Sequence, residues 1–179
     1  MLPVTLVVAT AALAAPPVDA VHVEVPFAMT AAAPASNVET ALTPWLGVRA
    51  GKTIGLGDAS FGFDGALYAS WASSGTSQVS SSKTLFTLEA RALFSPGRLA
   101  STYSSLSAYG FAGVLAGGGV VSTKAFPEDD ARPIATWGAR AGLGGTIAIH
   151  GVTTSVEIGA GVRDLRFELS SSLALGYAF

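Results

Sequence analysis

The sequence predicts an all-β fold in which eight antiparallel strands, joined up and down, close into a barrel. Two observations support this prediction. Apolar residues alternate with small or polar ones over most of residues 21–179, which is the periodicity of a strand with two different faces and not that of a helix. Turn-forming stretches separate the alternating runs, as expected for a series of hairpins.

The alternation is continuous in four runs, and the first of them shows the pattern clearly. In "ASFGFDGALYASW", Phe61, Phe63 and Trp71 share one face, whereas Asp64 lies on the other. An even number of strands places both ends of the barrel domain on the same side. The alternating runs are 59–71, 135–149, 152–162 and 165–179, and the predicted strands are 21–28, 44–53, 58–72, 83–95, 104–124, 134–149, 152–164 and 166–179.

Segment 104–124 fits the strand pattern least well. No charge occurs from Leu99 to Thr123, and Gly113 and Gly117 have the small-xxx-small spacing of a transmembrane helix. Many glycines and hydroxyl residues dilute the run, and a single helix would leave a sheet edge open to lipid. We therefore predict a long strand, kinked by a bulge at Gly117–Gly119.

The composition excludes several classes of function. Half of the 179 residues are hydrophobic and only 12% are charged, about half the charged share of a soluble domain. A net charge of −2 offers no basic surface for nucleic acid. The chain has no cysteine and two histidines, so we predict no disulfide, no metal site and no cofactor.

The first twenty residues are typical of a secretory signal peptide. Leu2 to Ala15 carries no charge, and Pro16 and Pro17 follow it. Cleavage after Ala20 is predicted, with a cut after Ala14 as the alternative. A short membrane anchor or a buried strand is the competing interpretation. Residues 1–20 are thus predicted to be a signal peptide and 21–179 the barrel domain.

The charges indicate which face of the strands meets water. In the predicted registers ten strand charges fall on the small, polar face, five acids against five arginines. A soluble sandwich or lipocalin-like barrel would place charges outside, whereas matched ions among small residues suit a narrow barrel interior with lipid outside. The predicted interior charges are Glu24, Arg49, Asp64, Glu89, Arg91, Arg140, Glu157, Arg163, Arg166 and Glu168.

The last strand, "SSSLALGYAF", alternates up to its final residue. Leu173, Leu175, Tyr177 and Phe179 share one apolar face, which we predict to contact lipid, with aromatic residues forming girdles at the membrane interfaces. Trp45 is an exception, because its register points inward.

Together with the leader, the strand count and the segregated charges, this strand resembles that of the small eight-stranded outer-membrane proteins of the OmpA, OmpX and opacity type. The resemblance implies a transmembrane barrel in the outer membrane of a Gram-negative-type bacterium, with both termini periplasmic. It also implies that the last strand is recognised by the barrel-assembly machinery.

Two glycine-rich stretches resemble nucleotide-binding motifs only superficially. "GVRAGKT", residues 47–53, has three residues between its glycines where a phosphate loop needs four, and no helix follows. "GARAGLGGT", residues 138–146, lacks the third glycine of a dinucleotide motif. We interpret its glycines as allowing close passage of interior side chains.

Catalytic residues are not predicted. His150, Ser155 and Glu157 could suggest a lipid hydrolase, but His150 lies in a turn and the other two lie on one strand face. His22 beside Glu24 is interpreted as an interior hydrogen-bonding group. The predicted function is therefore a non-enzymatic barrel with an envelope-structural or surface-loop role. A narrow pore or an outer-membrane lipid hydrolase are the alternatives.

Overall fold

The computed structural model describes residues 19–32, 42–75, 79–125 and 128–179, which form a closed antiparallel barrel in sequence order. β1 pairs with β8 to close the ring. The predicted strand number, order and connectivity are confirmed. The strands are β1 Ala20–Ala32, β2 Leu42–Leu56, β3 Ala59–Gly75, β4 Val79–Ala100, β5 Ser104–Ala125, β6 Glu128–Ile149, β7 Val152–Arg163 and β8 Arg166–Ala178.

The two ends of the barrel differ in their connections. One end, here called the turn end, carries short links at 57–58, 101–103 and 150–151. The opposite end, here called the loop end, carries the connections β1–β2, β3–β4, β5–β6 and the two-residue turn 164–165. The predicted leader lies outside the described residues except for its last two positions, and Ala20 is the first residue of β1.

The strands β4, β5 and β6 are each 22 residues long, whereas β7 has 12 and β8 has 13. Much of the additional length comes from a serine-rich and an acidic segment outside our predicted strands, at 79–82 and 128–133. Neither face of these segments is apolar, so they carry no alternation. Main-chain pairing with the neighbouring strand continues there independently of side-chain polarity.

β5 is a strand throughout, and among the described residues no helix is long and apolar enough to span a bilayer. The predicted bulge at Gly117–Gly119 is wrong, since pairing is regular on both sides of these glycines. They instead permit close approach of β4: a Cβ at Gly117 would lie 2.0 Å from the Phe86 carbonyl oxygen.

The bulge lies in β4, where the register shifts between Phe94 and Gly97. Ser95 and Pro96 together oppose Tyr109. Proline has no N–H to donate to the ladder, so a bulge is a favourable place for it. The Ser95 hydroxyl shares its proton between the Gly97 and Ala108 carbonyl oxygens, which lie 2.9 and 2.8 Å from its oxygen, and this contact holds the bulge in place.

The barrel is apolar on its outer face and polar on its inner face, the opposite of a soluble domain. Side chains on the outer face are apolar and exposed; Leu88, Leu143 and Val114, for example, are 63–65% exposed. The inner face holds charged, hydroxyl and aromatic side chains. Its apolar cluster, near the loop end, consists of Ala28, Trp45, Ala66, Tyr68 and Leu85, with Ile134 packed against them.

Candidate functional site: the interior of the barrel

The register between strands determines which interior side chains meet. Following paired residues from Ala32 through all eight strands leads back to His22, ten residues away on β1. With the usual rise per residue and strand separation, this stagger corresponds to a strand tilt of about 40°. An eight-stranded barrel of this kind has an interior that side chains fill.

A five-membered chain of ion pairs, here called the central ion network, crosses the interior. Arg49 contacts Glu24 and lies 2.7 Å from Glu157, measured from Nη1 to Oε1. Arg91 lies 2.8 Å from the other Glu157 oxygen and 2.6 Å from Asp64. All five residues are buried.

Neutral groups complete the hydrogen bonding of this network. The Tyr109 hydroxyl donates to Glu157 Oε1 at 2.8 Å, and Ser172 donates to Oε2 at 3.1 Å. Ser155 donates to Glu24 Oε1 at 2.8 Å. A buried charge is tolerated only when it is paired and its remaining lone pairs are satisfied. The network meets this requirement with two arginines placed among three carboxylates.

A second ion pair lies beside the network. Arg140 contacts both carboxylate oxygens of Glu89, and its guanidinium carbon lies 5.7 Å from the Tyr68 ring centroid. Arg91 lies 4.8 Å from the Phe111 ring centroid. Guanidinium groups bind aromatic faces favourably in a desolvated site, so the aromatic side chains stabilise the arginines as well as fill space.

The third ion pair is nearest the loop end and joins Arg163 to Glu168 at 3.1 Å. The Arg163 guanidinium carbon lies 4.3 Å from the Trp45 ring centroid. Trp45 is 4% exposed and donates from its indole nitrogen to Thr30 at 3.0 Å. The tryptophan that departs from the girdle pattern in the sequence is therefore an interior residue.

Glycines on neighbouring strands make room for the large interior side chains. A Cβ at Gly113 would lie 2.7 Å from Arg91 Cγ, and a Cβ at Gly144 would lie 2.5 Å from the Tyr109 ring. Gly144 belongs to the stretch 138–146, whose glycines we interpreted as permitting such close passage. The sequence shows the glycines, but only the cross-strand register shows which side chain each one accommodates.

The structure places the ten sequence-predicted interior charges as follows. Eight are 2–8% exposed, and the Arg163 side chain is 13% exposed. Arg166 differs from the expectation: it is exposed, because it begins β8 directly after the turn. The buried eight are Glu24, Arg49, Asp64, Glu89, Arg91, Arg140, Glu157 and Glu168.

The final strand has its apolar residues outside. Leu173, Leu175 and Phe179 are 49–58% exposed, and Tyr177 is partly exposed. The alternate position Ser172 is 8% exposed and points inward to Glu157.

Free space in the interior is unequal at the two ends. A cavity of about 130 Å³ lies toward the turn end; His22, Ser60, Ser107 and Arg98 are among its lining residues. The space near the loop end is about 10 Å³, between Trp45, Tyr68, Leu115 and their neighbours. The interior is therefore open toward one end and filled toward the other.

The residues considered for hydrolysis are not assembled into a catalytic set. The Ser155 hydroxyl lies 2.9 Å from Thr146 and donates to Glu24, whereas His150 is in a turn with its ring centroid 5.4 Å from that of Tyr103. His22 lines the turn-end cavity with Glu24. Among the described residues, no group of three or more His, Cys, Asp or Glu side chains could hold a metal ion.

Comparison with known proteins identifies the architecture. No family model and no curated protein matches the chain. Ail, the attachment invasion locus protein of Yersinia pestis, matches in two solved structures at 14% identity. Each match covers 90% of this chain and 99% of that one, and the TM-scores are 0.61 with the heparin analogue sucrose octasulfate bound and 0.59 without it. The N-terminal β-barrel domain of Pseudomonas aeruginosa OprF matches with a TM-score of 0.49, 14% identity and 89% and 97% coverage. The chain has the fold of the small eight-stranded outer-membrane β-barrels.

Proposed function

We propose that this protein is a non-enzymatic barrel of the outer membrane of a Gram-negative-type bacterium, with a closed interior and both termini periplasmic. Its role is to anchor in the envelope and to present its loop end, including the long strands β3–β6, to the outside. Lipid and, through the last strand, the barrel-assembly machinery are its proposed partners. Residues 1–20 are proposed to be a cleaved signal peptide.

The apolar outer face supports the membrane location. Large apolar side chains on all eight strands are about half exposed or more, from Val25 on β1 to Leu175 on β8. Soluble monomers rarely expose a continuous apolar patch of more than a few hundred Å², whereas an outer-membrane barrel needs an apolar band about 25 Å tall. A soluble barrel with this surface would aggregate.

The proposal that the barrel does not conduct ions rests on its filled interior. The central ion network occupies the middle of the barrel, and Trp45, Tyr68, Leu85 and Leu115 fill it toward the loop end. The 130 Å³ cavity at the turn end is the one observation that favours a narrow pore. This cavity ends at the central ion network, and the space described beyond the network, near the loop end, is about 10 Å³.

The contacts at the loop end do not support a polyanion as partner. Ail has been solved with a polysulfated heparin analogue, and such a ligand requires clustered basic groups. Here Arg132 is paired with Asp130, and the sequence of segment 128–133 has three acidic residues and one arginine. We therefore propose a surface role for the loop end without a polyanionic ligand.

Conductance across a planar bilayer tests the closed interior. Purified, refolded protein is first checked for heat-modifiable migration on a gel, which reports a folded barrel. We expect no resolvable single-channel conductance from the parent protein. Tyr68→Ala combined with Leu85→Ala removes much of the filling toward the loop end but leaves the central ion network in place, so this variant should also stay closed. Stable channels from the parent protein would support the narrow pore instead.

A further inference from the structure

The turn between β7 and β8 exposes an apolar side chain in a backbone conformation that does not favour it. Asp164 and Leu165 have φ angles of 50° and 65°. Leu165 is 81% exposed, more than any other large apolar residue described. Positive φ is accessible to Gly, Asn and Asp, but a leucine pays for it through a contact between its Cβ and the backbone. A two-residue turn in solvent would normally carry Asn-Gly or Asp-Gly here.

The first residue of the turn is explained by contacts within the barrel. The Asp164 carboxylate accepts from the Thr136 hydroxyl at 2.8 Å and from the Trp137 amide at 3.0 Å. Its own amide donates to the Trp137 carbonyl oxygen at 2.9 Å. Asp164 therefore binds the turn to β6. No such contact explains Leu165, and the exposure of this leucine at a positive φ requires a separate explanation.

Leu165 lies in the turn next to the upper end of the apolar outer face. Phe167 on this face is 54% exposed, and Trp137 beside the turn is 57% exposed. Leu165 and Phe179 are fourteen positions apart in the sequence, so at a tilt of about 40° they are about 35 Å apart along the barrel axis. An apolar band of about 25 Å that begins at Tyr177 would end near Phe167. Leu165 then lies one step above it, in the interfacial layer.

We propose that the Asp164–Leu165 turn is a lipid-inserted anchor, with Leu165 seated among the upper acyl chains of the bilayer. This rests on the proposed membrane location and extends it to a specific contact. The contact with lipid offsets the unfavourable backbone conformation, and Asp164 holds the turn against β6. The barrel thus meets the bilayer surface at β7–β8, while β3–β6 extend beyond it. The corresponding turn at the other end, His150–Gly151, carries no apolar side chain.

Site-directed spin labelling tests this contact in a chain that has no cysteine. Cysteine is placed singly at Leu165, at Leu169 in the apolar band, and at Ala131, which is exposed on β6 on the same face as Trp137. Each variant is labelled with a nitroxide in dioleoylphosphatidylcholine vesicles. Collision with oxygen, which partitions into lipid, is compared with collision with a water-soluble nickel complex.

We expect the ratio of oxygen to nickel collisions at residue 165 to be several-fold higher than at 131 and close to that at 169. Equal ratios at 165 and 131, with 169 in lipid, would overturn the anchor but leave the membrane location intact. Nickel access at 169 as well would contradict the membrane location itself.

Leu165→Asn provides an independent test, because a lipid contact and a turn in water predict opposite shifts of the urea midpoint. Asparagine adopts positive φ more readily than leucine but has no affinity for acyl chains. If Leu165 contacts lipid, the urea midpoint for unfolding from vesicles should fall. If the turn faces water, relief of the backbone conformation should raise the midpoint, and the proposal would be wrong.

Discussion

Replacing Arg91 with methionine tests whether the central ion network holds the barrel together. Arg91 is 2% exposed and binds Asp64 through two nitrogens, at 2.8 and 2.6 Å. It also donates to Glu157 at 2.8 Å. Methionine fills a similar volume without the charge. Glu157 keeps Arg49, Tyr109 and Ser172, but Asp64 loses its two charged hydrogen bonds.

The expected loss of unfolding free energy comes from the Asp64 carboxylate, which is left without a charged partner. Removing one partner of a buried ion pair typically costs about 3–5 kcal/mol, because the remaining charge is left uncompensated. Asp64 borders the turn-end cavity, where water can partly solvate it, so we expect the lower value, about 3 kcal/mol. With a urea dependence of about 1–3 kcal/mol per M, the midpoint should fall by about 1–3 M.

The chain offers a matched control at the surface. The pair Arg132–Asp130 has side-chain exposures of 77% and 54%, and exposed pairs contribute about 0–1 kcal/mol. Arg132→Met should therefore leave the urea midpoint nearly unchanged. Adding Asp64→Leu to Arg91→Met should restore much of the urea midpoint, since the Asp64 end of the central ion network then has no unpaired carboxylate. If Arg91→Met and Arg132→Met cost the same, the network does not stabilise the barrel.

Three further predictions concern the faces, the glycines and the topology. Leu175→Arg should cost less than the roughly 2–4 kcal/mol expected at mid-bilayer, because Leu175 lies toward the turn end, and unfolding from vesicles measures this. Cysteine at 175 should react with a lipid-confined reagent and cysteine at 172 should not; the reverse would invert the faces. Gly117→Ala should cost about 1–3 kcal/mol by overpacking, whereas Gly97→Ala, with open space around its Cβ, should change the unfolding free energy little. Protease added to intact cells should cut between β3 and β4 or between β5 and β6 and spare the β4–β5 link; cleavage only in that link would reverse the topology.

Strand number, order and the assignment of most charges to one face were predictable from the sequence. The reason is that alternation with a period of two is a local property, which each strand carries by itself. The same local rule identified Glu24, Arg91 and Glu157 as members of one face. It did not predict the extension of β4 and β6 through polar segments, because there main-chain pairing continues without any difference between the faces. Nor did it predict that the bulge lies beside Pro96.

Only the tertiary structure decided which interior groups meet. A stagger of ten residues around the barrel brings Glu157 of β7 between Arg49 of β2 and Arg91 of β4, on strands that are distant in sequence. Alternation fixes the face of each residue but not its height relative to strands across the barrel. That height depends on the sum of all eight pairings, which no single strand contains.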